Sequence, residues 1–326
     1  MQSLKDKVVW ITGASSGIGE ALAYGLASRG AILILSARRK EELKRVKKEC
    51  TDRYGARVIV CPLDVSDRNE CDRVLDILYS KLEKIDVLIN NAGFGHTERF
   101  IDYDFDEVIN MFQVNVFGLM YLTQQVAARM VADKSGHIIN IASIAGKIAT
   151  PKSAAYSSSK FAVIGFSDAL RLELREHGVN VTTINPGPVD TAFFDKFDPK
   201  GSYLEKVESL VLTPEKVAEK TIRHHWQEQA GKSIFQPMLE LSSKFYSLFP
   251  SVGDFLLSTC LTRSNIYQCN IVQIYGILIN NKWCMGGCHD EKTMEYDYSD
   301  HPVFRGCNLI GTECRSCTSQ FWIRCC

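Results

Sequence analysis

The chain has no long apolar run, no net charge and, over most of its length, almost no cysteine. No apolar stretch reaches the roughly 18 residues that a membrane-spanning helix needs. The amino terminus, MQSLKDKVVWITG, meets its first glycine without the apolar core of a secretory signal. The expectation is a cytosolic protein. Lys plus Arg and Asp plus Glu stand at 38 each, so no overall field recruits nucleic acid or an anionic membrane surface. Only Cys50, Cys61 and Cys71 precede residue 259, and the other nine of the 12 cysteines fall between Cys260 and Cys326. Such a shift in composition divides the chain into residues 1–258 and 259–326. Neither segment contains a repeat of fixed period or a low-complexity tract.

What is present in the first segment is alternation. KVVWITG is a short β-branched run ending in glycine, the pattern of a strand buried on both faces. GIGEALAYGLASRG follows with apolar residues at helical spacing and stops at Gly30. AILILSA, RVIVCPLDV, IDVLINNAG, GHIINIAS and VNVTTINPG read as further strands. Between them lie a charged amphipathic helix ending at Gly55, a helix over 67–84, a long helix near 105–132 and a helix through SAAYSSSKFAVIG. Strands alternating with helices predict βαβ units with right-handed crossovers. The fold class is α/β: a doubly wound parallel sheet forming one Rossmann-like domain over residues 1–258.

The first strand-to-helix turn reads TGASSGIG, with Gly13, Gly17 and Gly19 spaced GxxxGxG. A glycine turn here allows close backbone approach to a pyrophosphate, and the helix start offers free N–H groups and a positive dipole end. A dinucleotide site ordinarily has a carboxylate about 20 residues further on, at the end of the second strand, for the ribose 2′-hydroxyl. That carboxylate is missing: the position reads Ser36-Ala37-Arg38-Arg39. Guanidinium forks pair with phosphate oxygens, so the expectation is NADP rather than NAD, with Arg38 as the first contact and Arg39 beside it.

In SAAYSSSKFAVIG, Tyr156 and Lys160 are four residues apart on a helix and so share one face. Alone, the pair could be an incidental surface contact. Ser143, however, ends the fifth strand 13 residues earlier, and ligands of open α/β sheets bind at the carboxyl ends of strands. With TGASSGIG, NNAG at 90–93 and PGPVDT at 186–191, the set resembles the short-chain dehydrogenase/reductase family from about residue 5 to 240.

The resemblance implies an NAD(P)-dependent oxidoreductase that moves hydride between nicotinamide and a carbonyl or secondary alcohol. It makes Tyr156 the general acid/base. A free phenol has a pKa of ~10, so a neighbouring cation, Lys160, is needed to favour phenolate. Ser143 would hold the reacting oxygen, Lys160 also the nicotinamide ribose, and Asn115 a water-mediated proton path. Cofactor contacts would come from Gly13, Ser15, Ser16, Gly17, Ile18 and Gly19; from Arg38, Arg39, Asp64 and Val65; and from Asn91, Ala92, Gly93, Tyr156, Lys160, Pro186, Gly187, Val189 and Thr191. By the same analogy the protein would be a homodimer or homotetramer. A rival reading is a non-catalytic NADP-binding regulator of this fold. The sugar-nucleotide epimerases and dehydratases share YxxxK but usually show TGxxGxxG and a larger substrate domain.

The substrate is expected to be a lipophilic ketone or alcohol, met by Phe94, Gly95, Ile144, Ala145, Pro188, Phe193, Phe194 and Phe197. The aromatic-rich segment 239–258 could close the pocket, dock on a partner subunit or touch a membrane surface. In the second segment, Cys284, Cys288, His289, Cys314 and Cys317 form two close pairs, but CMGGCH has three residues between its cysteines rather than the two of most structural zinc sites. No metal is therefore expected, and 259–326 reads as a poorly ordered extension or an aberrant carboxyl terminus, with a metal module as the lesser alternative.

Overall fold

The computed structural model describes residues 4–193, 197 and 211–227, with 243, 244, 246–248, 250 and 251. They belong to a compact unit spanning Met1–Ile271. Phe194, most of 239–258 and all of 259–326, including the two cysteine pairs, lie outside the described residues.

Among the described residues six strands form one parallel sheet: β1 (Val8–Thr12), β2 (Ile32–Ser36), β3 (Val58–Val60), β4 (Val87–Asn90), β5 (Gly136–Ile141) and β6 (Val179–Ile184), in the order β3-β2-β1-β4-β5-β6. All five pairings are parallel, with Val9 opposite both Leu33 and Val87. The helices are α1 (Gly17–Ala27), α2 (Lys40–Tyr54), α3 (Arg68–Tyr79), α4 (Phe105–Phe112), α5 (Leu119–Ala132), α6 (Ala154–Leu174) and α7 (Pro214–Gln227). Each strand sends alternate side chains to opposite faces. Val9 and Ile11 of β1 join Leu22, Leu26, Leu43, Val46, Ala218 and Ile222 on the side of α1, α2 and α7. Val8 and Trp10 join Val74, Leu78, Leu122, Val126 and Met130 on the side of α3 and α5. A strand with apolar partners on both faces must be apolar throughout, which is why KVVWIT shows no alternation.

The chain winds outward from β1 to β3, then crosses back to β4 on the other side of β1. Strand order therefore reverses between β1 and β4, and the loops leaving their carboxyl ends diverge to open a crevice. The expected long helix near 105–132 is found, helical from Phe105 to Ala132, but its winding changes within it. Between α4 and α5, Gln113–Gly118 forms wider π turns, and Asn115 sits within them. Such turns commonly mark functional positions.

Candidate active site

A cleft of about 680 Å³ runs across the carboxyl ends of the strands. It is lined by every residue expected to contact the cofactor except Gly19: Gly13, Ser15, Ser16, Gly17 and Ile18; Arg38, Arg39, Asp64 and Val65; Asn91, Ala92 and Gly93; Tyr156 and Lys160; Pro186, Gly187, Val189 and Thr191. Ser143 lines it too, while Asn115 stands behind the wall.

The glycine turn is shaped for an anionic ligand. Gly13 and Gly17 have φ of +67° and +58°, conformations that a side chain resists. A Cβ at Gly13 would come within 2.8 Å of Ala92 Cα, and one at Gly19 within 2.3 Å of the Gly13 carbonyl oxygen. Gly19 therefore lets α1 close on the turn. Ser16, the N-cap of α1, makes no side-chain cap bond, so the helix start keeps its N–H groups for another acceptor. Thr12, which the motif reading did not single out, fixes the other side of the crevice: its Oγ1 accepts the Asn91 and Ala92 N–H groups, both at 3.1 Å.

The two arginines after β2 differ. Arg39 reaches over the turn and donates from Nη2 to Ser15 Oγ at 3.0 Å and Ser16 Oγ at 2.7 Å. Arg38 is 70% exposed, with Nη1 4.0 Å from Asp64 Oδ2. Asp64 also accepts from the N–H and hydroxyl of Ser66.

Ser143, at the end of β5, is extended, and its Oγ accepts the Ala145 N–H at 3.1 Å. That bond uses a lone pair and leaves the hydroxyl proton to be donated elsewhere. Tyr156 and Lys160 are both buried on α6. Lys160 Nζ donates to the Ile141 carbonyl at 3.1 Å and lies 5.7 Å from the Tyr156 ring centroid. Burial lowers the Lys160 pKa from 10.5 to about 8, so the group remains mainly an ammonium at neutral pH.

Asn115 is 1% exposed. Its Oδ1 accepts the Phe94 N–H at 2.9 Å, and its Nδ2 donates to the Phe94 carbonyl at 2.8 Å and to Ser159 Oγ at 3.1 Å. The partner is the backbone of the loop after β4, so the side chain pins that loop against α6. Beyond Tyr156 the cleft becomes apolar. Phe193 and Phe197 stack at 5.3 Å and lie 5.7 Å and 5.3 Å from the Tyr156 ring. Gly95 makes this possible, because a Cβ there would sit 2.7 Å from Tyr156 Cδ2. Phe94, Ile144, Ala145 and Pro188 line the same end, together with Ile148, Thr150 and Ser153, which no spaced motif announced.

Among the described residues no cluster of three or more His, Cys, Asp or Glu could hold a metal, and no helix is long and apolar enough to cross a membrane.

The sequence profile of the short chain dehydrogenases matches residues 7–201. An uncharacterised oxidoreductase of Staphylococcus aureus (strain USA300) is 38% identical over 219 residues, 67% of this chain and 90% of that protein. Human dehydrogenase/reductase SDR family member 7 is 40% identical over 192 residues, 58% of this chain and 57% of the human protein. Among solved structures, a short-chain dehydrogenase/reductase of Burkholderia phymatum in complex with NAD superposes with a TM-score of 0.70 at 26% identity, covering 77% of this chain and 96% of that one. A short-chain dehydrogenase of Sphingobium yanoikuyae in complex with NADPH gives 0.65 at 25% identity, covering 77% and 95%. The chain thus belongs to the short-chain dehydrogenase/reductase family, as an NAD(P)-dependent oxidoreductase.

Proposed function

We propose that the protein is an NADP(H)-dependent reductase or dehydrogenase of lipophilic carbonyl compounds or their secondary alcohols, with Tyr156 as the general acid/base. The observation that carries this reading is the convergence of Ser143, Tyr156 and Lys160 on one cleft that is also lined by the glycine turn, a geometry that supports pyrophosphate binding. When bound, the nicotinamide supplies or accepts the hydride. Ser143 donates its hydroxyl proton to the substrate oxygen and fixes that oxygen near Tyr156. Tyr156 gives its phenolic proton to the oxygen in reduction and takes it back in oxidation. Lys160, held by the Ile141 carbonyl, places a positive charge beside the phenol that favours its anionic form, and its remaining N–H donors suit ribose hydroxyls. Asn115 keeps the 93–95 loop at the distance the cofactor requires. An intact set of this kind argues against the regulator reading, which needs no acid/base.

The preference for NADP rests on chemistry at the end of β2. No carboxylate follows the strand, and two guanidinium groups border the cleft there. Arg39, bonded to both serines of the turn, stands nearer the phosphate-binding backbone than Arg38, so both are assigned to the 2′-phosphate.

A second copy of the chain is the proposed partner. Phe105, Ile109, Phe117 and Phe161 on the α4–α6 side are 63%, 44%, 49% and 46% exposed. Four residues after Phe161, Gly165 has nothing within 4 Å of the place its Cβ would take. Glycine inside an exposed helix costs about 1 kcal/mol against alanine, a cost that makes sense where another helix approaches closely.

The test is a panel of ketones and aldehydes offered with NADPH and with NADH, following the absorbance of the reduced nicotinamide. Turnover of apolar carbonyls with NADPH preferred is expected. Cofactor binding with no turnover across the panel would favour the regulator.

A further inference from the structure

We propose that Thr150 sets substrate specificity: its hydroxyl oxygen accepts a hydrogen bond from the substrate. The preferred substrate is then an apolar carbonyl compound bearing a second, donating group such as a hydroxyl. The inference rests on the assignment of the cleft made above and specifies the substrate class within it.

The loop 147–153 leads from the turn after Ser143 into α6 and contributes Ile148, Thr150 and Ser153 to the cleft wall. Ser153 is the N-cap of α6, where a serine ordinarily accepts a backbone N–H of the first turn. Here it makes no such bond. Its Oγ instead lies 2.7 Å from the Thr150 carbonyl oxygen, 2.9 Å from Thr150 Oγ1 and 2.9 Å from Ser157 Oγ. A carbonyl only accepts, so the bond to it uses the single proton of Ser153. The other two contacts are hydrogen bonds only if Thr150 and Ser157 donate to Ser153. This is the one proton assignment that satisfies all three, and it uses one donor and two acceptor sites of the Ser153 hydroxyl.

Thr150 thereby spends its own proton inward. What its oxygen can still offer is acceptor capacity, and Thr150 is half-buried whereas Ser153 is 2% exposed and Ser157 4%. Among the described residues the wall at this end is otherwise mostly apolar, with Phe94, Ile144, Ile148, Pro188, Phe193 and Phe197, and Ser143 and Tyr156 supply the donating hydroxyls assigned above to the reacting oxygen. The pocket therefore combines a donor end for a carbonyl with an acceptor for a second group. A local rule broken at Ser153, with no gain to helix stability, is the mark of a functional demand. A substrate hydroxyl meets that acceptor, whereas an ether or second carbonyl at the same place brings lone pairs against lone pairs.

The experiment compares kcat/KM with NADPH for acetophenone and cyclohexanone, for their hydroxyl derivatives with the hydroxyl at several distances, and for the matching methyl ethers. Wild type, Thr150→Val and Thr150→Ser are measured together. In at least one series the wild type should favour the hydroxyl compound about tenfold over both the parent and the ether, the size of one net neutral hydrogen bond. Thr150→Val should bring the hydroxyl-to-parent ratio near one, and Thr150→Ser should retain it. Equal rates for hydroxyl and methyl ether in the wild type, or a preference that survives Thr150→Val, would overturn the proposal. Turnover of no ketone with either nucleotide would defeat the assignment of the cleft itself, and this inference with it.

Discussion

Replacing Lys160 by methionine should raise the stability of the nucleotide-free protein while removing its activity. Lys160 is 6% exposed, with the Ile141 carbonyl as its described hydrogen-bond acceptor and the Tyr156 ring centroid 5.7 Å away. Burial brings its pKa from 10.5 to about 8, and at 1.36 kcal/mol per unit the folded state carries the ammonium at a cost of about 3 kcal/mol. The neutral amine keeps a hydrogen bond to the Ile141 carbonyl worth about 1 kcal/mol, which methionine gives up. Methionine, of similar length, therefore gains about 2 kcal/mol net at pH 7, a rise in Tm of about 4–8 °C. The pH dependence is the sharper prediction. The folded-state pKa lies below the unfolded one, so wild type gains stability as pH rises through 8 to 10.5, above which the amine is neutral in both states. Between pH 7 and about 9.5 that gain amounts to about 2 kcal/mol, enough to bring the two proteins level. Denaturant titrations of both at each pH measure it. A stability difference that stays constant across this range would refute the claim that Lys160 holds a desolvated charge.

Other outcomes follow from contacts of the same kind. Gly19→Ala forces a Cβ against the Gly13 carbonyl and should cost about 1–3 kcal/mol by thermal melting, with weaker NADPH binding by fluorescence titration. Arg38→Glu and Arg39→Glu should each weaken NADPH about 10- to 100-fold with a much smaller effect on NADH; equal losses for both nucleotides would show that neither side chain reads the 2′-phosphate. Phe161→Glu places a charge in the proposed subunit contact and should yield monomers in sedimentation velocity, whereas an unchanged sedimentation coefficient would place the contact elsewhere.

The sequence displays the fold because each strand is buried on both faces and so stays apolar over its length, as VVWIT and ILILS do. The reach of the first turn was equally legible, since glycine spacing states where backbones approach. Three features were not. The π turns at Gln113–Gly118 leave no trace in a helical pattern, and the contact made from within them, Asn115 with the Phe94 backbone, reaches across 21 residues. Arg38 and Arg39 are adjacent and chemically identical, so which one leans over Ser15 and Ser16 depends on where β2 ends. Thr150 and Ser153 act through a hydroxyl cluster that exists only once the loop has folded against α6.

The central claim is that the Tyr156 hydroxyl carries the proton, and Tyr156→Phe tests it most directly. The substitution removes one oxygen from a buried ring packed on Phe193 and Phe197 and leaves the glycine turn and both arginines untouched. NADPH affinity, by fluorescence titration, should change less than about threefold, while kcat on the best ketone of the panel falls by about 100-fold or more. Turnover within a few-fold of wild type, with NADPH bound as tightly, would contradict the account.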